Sequence, residues 1–177
     1  MNKDFWTKIY EQGRVTTEPS TFAKFAAPFL VGKETVELGC GNGRDLYWLR
    51  EQGVPAFGVD SANEDLFIIK QDVAKFIAQN DSPECVYTRF FWHAIERPLQ
   101  QEILHWAKKR ILIEARTTKD KPENVVGKHS RTLVDVKRLY RDLAQHGFTV
   151  LSAQEGYGLS IYKGEDPHLI RVIAEKS

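Results

Sequence analysis

The stretch VELGCGNGRD, Val36 to Asp45, decides how this chain is read. It follows a strand-like run that begins at Glu34 and packs three glycines, Gly39, Gly41 and Gly43, into five residues. Glycines at that density let a backbone turn tightly from a strand into a helix and come close to a bound molecule. Their spacing is one residue tighter than the G-x-G-x-x-G fingerprint, whose helix N-terminus receives a pyrophosphate. Glu37 adds a carboxylate two residues before the first glycine, which argues against a phosphate in the same pocket.

Working outward, the next apolar run, VPAFGVD, ends on Asp60, about where folds of this kind hold a ribose by a carboxylate. Glu37 and Asp60 together describe a nucleoside with a positively charged tail. S-adenosylmethionine fits, with Asp60 accepting from the ribose hydroxyls while the loop and Glu37 meet the ammonium and sulfonium end. A glycine loop alone reads equally as an ordinary strand-to-helix turn; the acidic pair is what favours a site.

The chain has 177 residues, of which 42% are apolar, as expected of a single domain with a buried core. We expect residues 1–33 to form a helical cap and 34–177 the core. A formal net charge of +1 gives no overall attraction to nucleic acid or anionic membrane. The start, MNKDFWTKIYEQ, lacks the features of a secretory signal, and no apolar run reaches membrane-spanning length. Cys40 and Cys85 sit in no Cys-x-x-Cys or Cys/His pattern, so a reducing cytoplasm and no metal are expected.

Short apolar runs alternate with helix-period segments, the pattern of a parallel sheet with crossover helices. Strands are predicted at 35–38, 54–59, 66–70, 85–89, 110–115 and 148–154, with a last one around LSIY or LIRVIA. Helices are predicted over DFWTKIYEQ, TFAKFAAPFL, Gly43 to Gln52, DVAKFIAQ, Arg97 to Lys109 and TLVDVKRLYRDLAQHG. The last of these puts Leu133, Val136, Leu139, Tyr140 and Leu143 on a core-facing side. SANED, after Asp60, is too short for a crossover helix. The aromatic face Phe5, Trp6 and Tyr10 either closes over the cofactor mouth or packs on the sheet.

From about residue 30 onward these residues resemble the class I S-adenosylmethionine-dependent methyltransferases. VELGCGNGRD looks like their first motif, GVD their second, QDV at 71–73 their adenine-contacting acidic turn and CVYTRFFWHAI their fourth motif. The resemblance implies a Rossmann-like, doubly wound α/β fold of seven strands, mostly parallel with an antiparallel last strand. It implies cofactor contacts from Glu37, Gly39, Cys40, Gly41, Asn42, Gly43 and Asp45, then from Asp60, then from Asp72 and Val73, and from Thr88. A narrower similarity, in TRFFWHAI, EARTTKD, GKHSR and GEDPHLIRVIAEK, is to small methyltransferases of bacterial capsule and O-antigen synthesis. Some of those methylate a phosphate or phosphoramidate on a glycan or its nucleotide precursor. The clipped SANED segment departs from the longer family pattern.

In an open parallel sheet the second substrate lies outside the carboxyl ends of the strands. Arg89 and His93 follow the fourth strand, Glu114, Arg116 and Asp120 end or follow the fifth, and His129 and Arg131 come from the long polar loop after it. Three arginines and two histidines at one mouth read as an anion site, because a guanidinium fork matches phosphate or carboxylate oxygens. The expected partner is thus a small-molecule or glycan-linked anionic acceptor. Arg89 and His93 are the catalytic candidates; Arg116, Asp120, His129 and Arg131 the substrate-binding ones. The competing reading for Arg89 and Arg116 is ordinary ion pairing with Glu114 or Glu96, and for Arg131 that it precedes and orients a helix. An anionic acceptor needs no general base, and His93 would then donate a hydrogen bond; a sugar hydroxyl needs one, and His93 is the first candidate. The run Phe90, Phe91 and Trp92 reads more as core than as a substrate platform. Cys40 has no basic partner and reads as a small loop residue.

Two other functions compete. A nucleic-acid methyltransferase is suggested by the basic run KKR at 108–110, but the N/D-P-P-Y/F tetrapeptide is missing and Glu84 separates Pro83 from Cys85. A non-catalytic module that retains the cofactor pocket would not need the charged residues at the acceptor mouth.

Overall fold

In the computed structural model, which describes residues 16–120, 132–161 and 164–176, the apolar runs form seven strands of one sheet. They are β1 (Thr35–Leu38), β2 (Ala56–Asp60), β3 (Ile68–Lys70), β4 (Cys85–Arg89), β5 (Arg110–Arg116), β6 (Phe148–Gly156) and β7 (Leu169–Lys176). The helices are α1 (Thr21–Leu30), α2 (Arg44–Glu51), α3 (Val73–Gln79), α4 (Arg97–Trp106) and α5 (Val136–Gln145). The expectations on Phe5, Trp6 and Tyr10 and on His129 and Arg131 lie outside the described residues.

Strand order is β3-β2-β1-β4-β5-β7-β6. Strands β1 to β5 pair in parallel, and β7 runs antiparallel to both β5 and β6. The chain reverses its lateral progress after β3, so β1 and β4 become neighbours. The crevice beyond their carboxyl ends is where open α/β sheets take ligands. All four residues of β1 are buried, as a strand covered by helices on both faces requires.

One face carries α1 and α2, whose Phe22, Leu30, Leu46 and Leu49 pack with Tyr87, Leu112 and Ile173 of the sheet. The other carries α3, α4 and α5, with Phe76, Ile103, Leu139 and Leu143 against Val36, Leu38 and Ile113. Helix α1 thus lies flat on the sheet, and its Phe22 ring stacks on Tyr87 at 5.1 Å. No helix among the described residues is long and apolar enough to cross a membrane.

One expectation shifts and two others are made definite. Helix α5 starts at Val136, because the Asp135 side chain accepts from Arg138 N and caps it there. Leu133 therefore lies before the helix, and Tyr140, one position round from Leu139, is exposed. The last strand is at LIRVIA; Leu159, Ser160 and Ile161 of LSIY lie outside any strand. SANED contains no helix, yet β3 still pairs parallel with β2. Ile68 sits level with Gly58, so the connection has only half a strand to retrace.

Candidate active site

Gly39, Gly41 and Gly43 all adopt left-handed φ, at 70°, 60° and 76°. A side chain at Gly39 would also collide, since a Cβ there would lie 2.3 Å from Cδ2 of Phe91. Main-chain N–H groups of Gly39 and Cys40 both donate to Val59 O, at 2.8 and 3.3 Å. The Asp60 carboxylate accepts from Gly41 N at 3.0 Å and from Ala62 N at 2.8 Å. Asn63 Nδ2 donates to Gly41 O at 3.0 Å, and Asn42 Nδ2 to Thr16 O at 3.1 Å. The end of β2 and the turn after it therefore hold the glycine loop open in one shape.

Glu37 lies in this loop's floor, buried, with Oε2 lacking any hydrogen-bond partner. Burial pushes its carboxyl well above the usual range; Asp45 and Asp60 push the same way, while Arg89 and Arg44 oppose. A buried carboxylate oxygen without a donor is costly unless something cationic meets it. The Cys40 thiol is also pushed up, by burial and then by Glu37 and Asp60, which makes it a poor nucleophile. Its Sγ packs where a Cβ on Gly58 would come within 2.5 Å.

Of four other residues expected on the cofactor, three have structural duties. Asp45, second in α2, turns inward and accepts from Ser20 N (2.7 Å), Ser20 Oγ (2.6 Å) and Tyr87 OH (2.9 Å). It fastens α1 to β4 beneath the loop. Asp72 caps α3 by accepting from Ala74 N and Lys75 N, and the Val73 side chain is in the core. Thr88 is fully buried, its hydroxyl without a hydrogen-bond partner.

Beyond the loop, Arg89 on β4, Glu114 on β5 and Arg171 on β7 stand directly opposite one another in register. Arg89 Nε lies 3.0 Å from Glu114 Oε1, and Arg171 Nε donates to Glu114 Oε2 at 2.6 Å. Arg171 also donates to Thr21 Oγ1 and Leu159 O, and Arg89 to Ser160 Oγ. Alternating charge across three strands neutralises a buried row. Burial still raises the Glu114 carboxyl, against the pull of Arg89 and Arg171. Arg89, expected to face the acceptor, is thus built into this row, which is the ion pairing with Glu114 that the sequence had left open.

At the end of β4 the aromatic run divides. Phe91 and Trp92 are core, whereas Phe90 is half-buried at a φ of 55°, a strained value for an aromatic residue. The Phe90 ring is shared: Arg89 Cζ lies 4.3 Å from its centroid, Arg116 Cζ 5.8 Å and the His93 ring 5.6 Å. The backbone N–H of Arg116 donates to His93 Nδ1 at 3.0 Å. Since Nδ1 accepts, the neutral ring carries its proton on Nε2. The Arg116 guanidinium donates to Asp120 Oδ2 at 3.2 Å and to Glu165 Oε2 at 2.7 Å. Asp120 Oδ1 accepts from His168 N, so Asp120 positions Arg116.

The sequence family described as methyltransferase domain matches residues 12–153. The chain belongs to that family. It is an S-adenosylmethionine-dependent methyltransferase. The fold is shared with a SAM-dependent methyltransferase from Archaeoglobus fulgidus, 17% identical, over 86% of this chain and 90% of that one, with a TM-score of 0.68. It is shared too with the Burkholderia thailandensis 1,6-didemethyltoxoflavin-N1-methyltransferase, solved with its substrate and S-adenosylhomocysteine: 14% identical, covering 99% and 87%, TM-score 0.72. Magnesium protoporphyrin IX methyltransferase from Synechocystis, solved with SAM, is 12% identical over 88% and 78%, with a TM-score of 0.65. No curated protein matches the chain in sequence.

The methyltransferase's own residues fit S-adenosylmethionine. The unpartnered Glu37 oxygen suits the ammonium, the left-handed glycine turn lets the backbone pass close beside the carboxyl end of β1, and the Asp60 carboxylate at the end of β2 would meet the ribose. Sequence reasoning missed Asn63, Arg171, Glu165 and the Thr117–His168 pair, whose Oγ1 and Nδ1 lie 2.7 Å apart. Arg171 carried one signal, an arginine inside an otherwise apolar strand. Glu165 and His168 come from the connection between β6 and β7, and Asn63 from the turn after β2, whose meeting with the loop depends on the fold.

Proposed function

We propose that this methyltransferase alkylates an anionic acceptor, a phosphate- or phosphoramidate-bearing glycan or nucleotide-sugar-type molecule, at an oxygen that needs no deprotonation. S-adenosylmethionine supplies a methyl group on a sulfonium, and the protein's task is to hold a lone pair in line with it. Glu37 and Asp60 would hold the cofactor's ammonium and ribose. The observation that carries the acceptor reading is the bond from Arg116 N to His93 Nδ1. It makes the neutral His93 ring a donor through Nε2 and leaves it no lone pair with which to act as a base. A donor beside a guanidinium suits an oxygen that is already negative. The remaining substrate-binding proposals, His129 and Arg131, would come from the loop after β5.

The KKR run gives the nucleic-acid reading no unbalanced positive patch, because each of its basic residues has an acidic partner. Lys108 bonds Asp81, Lys109 bonds Glu84 and Arg110 bonds Glu175. Labelled S-adenosylmethionine incubated with phosphorylated glycans, nucleotide sugars, neutral sugars and RNA tests the proposal. Label should enter the phosphorylated acceptors. Label in RNA or neutral sugars alone would overturn the reading.

A further inference from the structure

We infer that Glu165 is a built-in competitor for Arg116, and that the acceptor group able to displace it is a phosphate rather than a carboxylate; this rests on the anionic-acceptor reading above. The two carboxylates on the Arg116 guanidinium are unlike. Asp120 has a fully buried side chain and both oxygens engaged, one by Arg116 and one by His168 N. Glu165 belongs to the β6–β7 connection, keeps 34% of its side chain exposed, and places Oε2 2.7 Å from Arg116 Nη2. Asp120 is therefore the fixed partner and Glu165 the exchangeable one.

A carboxylate on a guanidinium presents the same oxygens, at the same spacing, as an anionic acceptor would. An incoming carboxylate that replaced Glu165 would gain nothing in charge and would compete with a tethered group at an effective concentration in the millimolar range. A phosphate dianion brings a second charge and a third oxygen, and so competes for the guanidinium where a second carboxylate does not. Glu165 thereby sets a threshold that phosphate passes and carboxylate does not.

The test uses the full chain saturated with S-adenosylhomocysteine, with inorganic phosphate and acetate as probes at fixed ionic strength, followed by calorimetry. Phosphate should bind the wild type and acetate far more weakly, and Arg116→Lys should erase the difference. Glu165→Gln removes the charge, while Glu165→Asp keeps it on a stem too short to reach; both should tighten acetate by about two- to tenfold, the range of a partly exposed ion pair. Tightening in Glu165→Gln alone would reflect general charge and overturn the inference. Phosphate binding that depends on Arg116, with acetate unchanged in both Glu165 variants, would also overturn it while leaving the anionic-acceptor reading intact. Failure of both anions to bind any of these proteins would remove that reading, and this inference with it.

Discussion

The Asp45 carboxylate accepts both the backbone N–H and the hydroxyl of Ser20, at 2.7 and 2.6 Å, and so couples the first turn of α2 to the N-cap of α1. Asp45→Ala would leave these donors and Tyr87 OH buried without an acceptor, at a cost on the order of 3–5 kcal/mol. Ser20→Ala, which mainly removes the cap, should cost about 1–2 kcal/mol. Urea unfolding monitored by tryptophan fluorescence checks both. If Asp45→Ala kept full stability and lost only cofactor affinity, Asp45 would belong to the ligand after all.

Glu37 should make cofactor binding release a proton. Its carboxyl stands above the ordinary 4.5 because it is buried, so folding of the ligand-free protein favours the protonated form. The stabilisation this gives is complete below about 4.5 and is lost as pH rises through the raised value. An ammonium at Oε2 reverses the preference, and affinity for S-adenosylhomocysteine should climb with pH over that interval. Glu37→Gln imitates the protonated form. It should keep or raise the melting temperature without ligand at neutral pH, bind cofactor roughly ten- to a hundredfold more weakly, and lose the pH dependence. Calorimetry in buffers of different ionisation enthalpy counts the proton; a wild type that releases none contradicts the assignment.

His93 divides the two possible chemistries. With Nε2 as a donor, His93→Gln retains an amide donor and should lower kcat/KM by about tenfold or less, whereas loss of a general base costs about a hundred- to ten-thousandfold. The wild-type pH profile should then lack a histidine-like limb, and the variant should have the same shape. An acid limb near the ordinary histidine value, present in the wild type and gone in His93→Gln, would restore the base and point to a hydroxyl acceptor.

What was legible in the chain followed the range of the interactions. The glycine turn, Asp60 and most strand positions are local, set by backbone conformation and by apolar runs within one element. The tie of Asp45 to Ser20 and Tyr87 was not legible, because these partners come from other elements. Motif likeness gives its position in the chain but not which way it turns. The row Arg89–Glu114–Arg171 depends on strand register, in particular on the antiparallel insertion of β7 beside β5. His93 as acceptor from Arg116 N is a single contact between the helical turn after β4 and the last residue of β5, and only that contact fixes the tautomer.

Arg116 gives the sharpest test of the acceptor site. Arg116→Lys keeps the positive charge and the backbone N–H that orients His93, so the histidine, the sheet and the cofactor loop should be undisturbed. An ammonium is a point charge and cannot reproduce a guanidinium that would keep Asp120 on Nη1 while an acceptor oxygen takes the place of Glu165 on Nη2. S-adenosylhomocysteine affinity should therefore stay near the wild-type value. With a phosphorylated acceptor, kcat/KM should fall by roughly ten- to a thousandfold, about 1.4 to 4 kcal/mol of transition-state stabilisation. A matched fall in cofactor affinity would mean that the substitution had disturbed the cofactor loop. An unchanged kcat/KM would make Arg116 a structural ion-pair partner of Asp120, and the acceptor would then have to be held by residues of the loop after β5.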